Sequence, residues 1–135
     1  MKIVRISHDH PDADKAFNEL KEYNNQFEPK VDFEKVVLVA EDNGKFMGSI
    51  DAHRAWDFLE ISNMVVLKKR KGIGSKLMAE AESYAKTNKL KKILLWTMDF
   101  QAPEFYKKMG FKEYAVLPDV AGKHSCHYFV KEIKI

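Results

Sequence analysis

Cysteine is nearly absent from this chain of 135 residues: Cys126 stands alone, so no disulfide can close within the chain, which agrees with a reducing compartment. No apolar run approaches the ~20 residues that a bilayer-crossing helix needs. The opening Met1-Lys2-Ile3-Val4-Arg5-Ile6 also lacks a long apolar stretch followed by a small-residue cleavage site, so it reads as a first strand rather than a signal peptide. A cytoplasmic protein that does not enter a membrane is expected. The excess of one sign of charge is small as well, and a formal +3 is too small by itself to argue for nucleic acid. There is no internal repeat, low-complexity tract or linker, and this length predicts one domain, 1–135, able to bury most of its apolar surface without staples.

What basic excess there is gathers in one place. In Val65-Val66-Leu67-Lys68-Lys69-Arg70-Lys71-Gly72-Ile73-Gly74-Ser75-Lys76-Leu77 an extended apolar run enters a basic glycine turn and leaves as an amphipathic helix. Two glycines one residue apart let the main chain turn tightly, and the first N–H groups of the following helix lack intrahelical partners. That is a phosphate cradle, with Lys68 to Lys71 as a cationic rim suited to several phosphates or a pyrophosphate. A dinucleotide fingerprint would need a third glycine where Leu77 stands, and a nucleotide-triphosphate loop would need four residues before Gly-Lys-Ser/Thr. Neither spelling is present.

The run resembles the Arg/Gln-x-x-Gly-x-Gly/Ala signature of the GNAT acetyltransferases. Downstream, Ala102-Pro103-Glu104-Phe105-Tyr106-Lys107-Lys108-Met109-Gly110-Phe111 is similar to that family's Ala-x-x-x-Tyr-x-x-x-Gly-Phe motif, with a helix and the strand Ile93-Leu94-Leu95-Trp96-Thr97 between the two. The likeness extends from about Phe33 to Tyr128. It implies a GNAT-like α/β (α+β) fold, a mixed twisted sheet flanked by helices, with acetyl-coenzyme A as acetyl donor. The implied contacts are Met64, Val65, Val66, Lys69, Arg70, Lys71, Gly72, Ile73, Gly74, Ser75, Lys76, Asp99, Ala102 and Tyr106. Lys69 stands where Gln or Arg is usual, Arg70 where Gly often is, and Asp99 where Asn is common; the connection from Val66 to Gly72 is a residue or two short. Backbone N–H groups, which any residue but Pro supplies, are less affected by such changes than side-chain contacts.

Periodicity places the other elements. Asp9-His10-Pro11-Asp12 offers cap chemistry for a helix whose apolar positions run from Ala13 to Phe27, stopped by Pro29. Val36 to Ala40 reads as a strand buried on both faces; Asn43-Gly44 as a hairpin turn into the strand Lys45 to His53; Trp56-Asp57 as another turn; and Phe58 to Val66 as the strand feeding the cradle. From Gly72 a helix puts Ile73, Leu77, Met78, Ala81 and Ala85 on one face, with Glu82 and Lys86 as an exposed pair. Pro103 to Lys108 forms a short helix stopped by Gly110, and two strands, Phe111 to Val116 and Cys126 to Ile135, are joined by a loop over Pro118 to Lys123. Trp96, Phe100, Phe105 and Met109 read as core. His124, Cys126 and His127 are close in sequence, but a strand sends Cys126 and His127 to opposite faces, which argues against a metal.

Acetyl transfer from a thioester to an amine needs a neutral amine, stabilisation of the oxyanion and a proton for the thiolate. Backbone N–H groups near Met64 to Val66 serve the second need if the neighbouring strand splays away. By the resemblance Tyr106 is the acid, since a phenol with a pKa of about 10 can protonate a thiolate. Glu60, on the strand entering the cradle, is the candidate base, and solvent-facing ornament is the equal competing reading. The resemblance thus implies direct transfer to a primary amine of a small molecule or peptide, with Tyr23, Asp51, His53 and Trp56 as guesses for acceptor contacts. A non-catalytic acyl-coenzyme A sensor or protein-interaction module on the same fold is the alternative. Nucleic-acid binding is disfavoured because no aromatic residues interleave the lysines; a homodimer is left open.

Overall fold

Positive φ at Asn43 (51°) and Gly44 (75°) closes the two-residue turn expected of Asn-Gly and joins strand β1 (Glu34–Asp42) to β2 (Lys45–Ala55). The computed structural model in which this is seen describes residues 1–68 and 72–134. Trp56 turns the chain again at φ 52°, and β3 (Phe58–Val66) returns antiparallel along β2. Helix α2 (Ile73–Thr87) then carries the chain to β4 (Lys92–Met98), which runs parallel to β3; α3 (Pro103–Lys108) and the hairpin β5 (Lys112–Ala121) and β6 (His124–Glu132) follow. The spatial order is β1-β2-β3-β4-β6-β5, so the mixed sheet with flanking helices is present.

The chain divides into two compact units, residues 1–32 and residues 33–135. In the first, Ile3 to Ile6 do not form the expected strand and join no sheet among the described residues. A 3-10 turn, Pro11–Asp14, is capped by the His10 ring, whose Nδ1 accepts from the Asp12 N–H at 3.0 Å, and helix α1 (Lys15–Asn24) follows. It ends at Asn24, short of Phe27: the chain turns out of the helix after Asn25, several residues before Pro29 could stop it.

In the second unit the core lies between the sheet and the helices that follow the cradle. Ile50, Leu59, Met78, Ile93 and Phe129 are its largest fully buried side chains. Gly74, Leu77, Met78, Ala81 and Ala85 form the inner face of α2, and the two alanines, at 0% exposure, let its backbone approach the strands closely. Lys131 on β6 ties both helices to the sheet: its ammonium donates to Glu82 on α2 and to the Met109 carbonyl at the end of α3. Glu82 therefore engages Lys131 rather than Lys86.

Four further expectations change. β1 is an edge strand whose Val36 faces the core while Val37 and Val39 point away, so it is not buried on both faces. Pro118 lies inside β5, not in a loop; β5 is the opposite edge, its register with β6 shifts between Leu117 and Ala121, and a missing N–H is tolerated there. The hairpin instead turns at Gly122, φ 61°. Trp96 and Phe100 are exposed, because Trp96 alternates with the buried Leu95 and Thr97 and Phe100 lies past the end of the strand.

Candidate active site

β3 and β4 pair only through Phe58, Leu59 and Glu60 opposite Lys92, Ile93 and Leu94. Beyond that point β3 keeps its antiparallel partner β2 and β4 keeps β6, so each strand follows a different neighbour and the sheet parts. The Leu67 N–H donates to the Met47 carbonyl at 2.9 Å. By the alternation of an antiparallel ladder, Val65 then also faces β2, and the N–H groups of Met64 and Val66 are turned toward the opening. The divergence required for exposed donors at the end of this strand is present.

The chain enters α2 at Gly72, at φ 74° and with no side-chain cap. Nothing would meet a Cβ at Gly72, so glycine is required there by backbone conformation alone. Gly74 is buried for the other reason: a Cβ would stand 3.0 Å from Met64 Cε and 3.2 Å from Phe105 Cζ. The helix closes its first turn with the Lys76 N–H donating to the Gly72 carbonyl at 3.1 Å. Ile73, Gly74 and Ser75 precede that bond, so their N–H groups have no partner within the helix.

The opposite wall comes from α3. Thr97, buried at the end of β4, accepts from the Ala102 N–H at 3.3 Å, and Gln101 Oε1 accepts from the Met98 N–H at 2.7 Å; together these fold the chain back so that Pro103 can start the helix. α3 ends in a Schellman motif, with Phe111 N–H on the Tyr106 carbonyl (3.0 Å), Gly110 N–H on the Lys107 carbonyl (3.1 Å) and Gly110 at φ 90°. Tyr106 is 8% exposed, ringed by Phe105, Phe111 and Phe129, and burial pushes its phenol pKa up, which keeps it protonated through neutral pH.

These walls enclose one open cavity of about 650 Å³. Of the residues expected from the sequence it gathers Met64, Val66, Gly72, Ile73, Gly74, Ser75, Asp99, Ala102 and Tyr106. Gln101, Pro103, Glu104 and Phe105 also line it and were not anticipated individually; their signal was the short connection before a helix that brings Tyr106 inward. Val65 points away and Lys76 is exposed on the first turn of α2, both outside the lining. Lys69, Arg70 and Lys71 lie outside the described residues.

Glu60 is elsewhere. Its neighbours Leu59 and Ile61 are buried against α2, so Glu60 points to the other face, where its carboxylate lies 3.7 Å from His53 Nε2. A second cavity of about 290 Å³ opens on this unit, and His53 and Asp51 line it together with Phe33 and Asn63; Trp56 does not. Asp99, at the mouth of the larger cavity, is held as a carboxylate: the Ser125 N–H, and then His124 at 2.8 Å, lower its pKa below the ordinary value.

Comparison with known proteins gives the same architecture a family. The family model described as the Acetyltransferase (GNAT) family matches residues 3–111. The chain is 32% identical over 95 residues to the blasticidin-S acetyltransferase of Streptomyces morookaense, covering 68% of this chain and 70% of that one. An acetyltransferase of Bacillus cereus, solved as a crystal structure, superposes with a TM-score of 0.82 at 33% identity, over 96% of this chain and 97% of its own. A Bacillus anthracis protein assigned as a streptothricin acetyltransferase, crystallised in complex with acetyl coenzyme A, superposes with a TM-score of 0.66 at 23% identity, over 81% and 67% of the respective chains, and shares the fold.

Proposed function

Because the chain belongs to the GNAT acetyltransferase family, we propose that it transfers the acetyl group of acetyl-coenzyme A directly to a primary amine. The observation that carries this reading is the single cavity in which helix-start donors, the unpaired end of β3 and Tyr106 meet. The residues fit a pyrophosphate-bearing donor: three N–H groups without helical partners line the cavity, and Gly74 leaves the backbone bare where a Cβ would close it. When bound, acetyl-coenzyme A supplies the acetyl group as a reactive thioester.

Each remaining part falls to this chain's own residues. Ile73, Gly74 and Ser75 hold the phosphates by their backbone, while Lys68, Lys69, Arg70 and Lys71 supply the cationic rim read from the sequence. The N–H groups of Met64 and Val66 offer hydrogen bonds to an oxygen that gains negative charge, and fixed donors of this sort need no reorganisation as that charge develops. Tyr106 holds the proton needed by a departing thiolate, and its burial keeps it loaded. Ala102 lines the cavity beside Tyr106, whereas the Val65 backbone is committed to β2.

The acceptor is an amine of a small molecule or peptide, and the names of the relatives make blasticidin S and streptothricin the first compounds to try. A panel of amines incubated with acetyl-coenzyme A and the protein, followed by free-thiol release, tests the reading. Release that requires both enzyme and amine is expected; thiol release indifferent to every amine would refute it.

A further inference from the structure

Asp99, Ser125, His127 and Glu113 form a hydrogen-bonded chain to which the reading above gives no part. Ser125 and His127 are two residues apart on β6 and so share a face, the one on which Phe129 is buried. Asp99 Oδ2 accepts from the Ser125 N–H at 3.1 Å and lies 3.4 Å from Ser125 Oγ, which is only 2.9 Å from His127 Nε2. The shorter contact takes the hydroxyl hydrogen. On the far side of the ring, His127 Nδ1 meets the Glu113 carboxylate on β5. A carboxylate there accepts Nδ1–H and leaves Nε2 bare, so the Ser125 hydroxyl and the ring N–H both point toward Glu113, while the Ser125 backbone N–H points back to Asp99. One end, Asp99, lines the larger cavity; at the other, the side chains of His127 and Glu113 are 19% and 29% exposed.

We propose that this chain, and not Glu60, deprotonates the acceptor. The inference rests on the acetyltransferase reading and deepens it: the acceptor arrives as a cationic ammonium, drawn to the Asp99 carboxylate. Its proton passes to Ser125 Oγ as Ser125 releases its own to His127 Nε2. The amine keeps the electron pair of the broken N–H bond, and the imidazolium so formed is balanced by Glu113. Asp99 remains ionised throughout, and the step requires no other reactant. Among the described residues, the groups facing His127 are Glu113 from β5, Ser125 and beyond it Asp99, and the uncharged Thr97 and Val116 directly opposite on β4 and β5. Ser125 acts through its hydroxyl, and His127 and Glu113 act as positioning residues with respect to the acceptor.

The test is the pH profile of kcat/KM for the best amine in wild type, His127→Gln and Ser125→Ala. Both variants should lose ~100-fold or more at neutral pH, where the amine arrives protonated. The loss should shrink as pH approaches the amine's own pKa, and KM for acetyl-coenzyme A should stay unchanged. Ser125→Ala removes a hydroxyl alone, so it decides the matter if His127→Gln misfolds. A loss of equal size at every pH, or none in Ser125→Ala, overturns the proposal. Independently of any acceptor, nitrogen-15 NMR of the neutral His127 ring should show hydrogen on Nδ1 and none on Nε2. The reverse tautomer overturns the relay even in a protein that acetylates amines, while a failure of wild type on every amine strikes the acetyltransferase reading and leaves the NMR result to judge the chain.

Discussion

Phe111 holds Tyr106 twice: its N–H donates to the Tyr106 carbonyl at 3.0 Å, and the two rings meet edge-on with centroids 5.7 Å apart. The helix stop and the packing of the proposed acid are thus one feature, because Gly110 at φ 90° turns Phe111 back under the helix that carries Tyr106. Phe111→Ala should cost about 3–5 kcal/mol in urea unfolding, as expected for emptying a buried aromatic site. Phe111→Leu, which fills more of the space, should remain folded and lower kcat more than it raises KM for acetyl-coenzyme A.

Tyr106→Phe removes one hydroxyl and almost no contact area. If Tyr106 gives the leaving-group proton, kcat should fall ~100 to 10,000-fold whichever amine is used, with acetyl-coenzyme A affinity by calorimetry within about twofold of wild type. Turnover that survives the substitution would make Tyr106 a packing residue.

The two glycines of the cradle should fail differently. Gly72→Ala meets no atom but forces an L residue into positive φ, so it should lower stability by about 1–2 kcal/mol and weaken binding modestly. Gly74→Val puts methyl groups against Phe105 and into the cavity, and should abolish acetyl-coenzyme A binding in calorimetry. Equal affinity in Gly74→Val and wild type would move the phosphates away from α2.

Local chemistry made much of this legible from sequence, and distant pairing accounts for what was not. The Asn43-Gly44 turn, the bounds of β3, the start of α3 at Pro103 and the Gly110 stop depend on residues within a turn or two of themselves. The surroundings of Val37, Val39 and Pro118 depend on whether a strand is central or at an edge, and those of Trp96 on which face of its strand is covered, both decided by partners far along the chain. Ser125 and His127 carried a readable signal, two polar groups with an alternating strand's spacing. Their use depends on Glu113, which the β5–β6 register brings to His127 and which no local pattern announces.

Asp99 gives the pH dependence of stability a sign. Its folded-state pKa is lowered, chiefly by the Ser125 N–H, so its contribution is present above the ordinary value of about 4 and fades as pH falls through the lower folded value. The difference in melting temperature between wild type and Asp99→Asn should therefore narrow on going from pH 6 to pH 3. A constant difference across that range would show that the carboxylate's charge is not what Ser125 and His124 stabilise.

The proposed place where acetyl-coenzyme A binds and reacts is the cavity between the end of β3, the start of α2 and α3. A crystal structure of the protein with acetyl-coenzyme A tests it most directly. The pyrophosphate is expected on the N–H groups of Ile73, Gly74 and Ser75, and the thioester between Met64 and Tyr106. Density for the coenzyme at the smaller cavity beside His53 and Asp51, or anywhere that leaves the start of α2 bare, would contradict it.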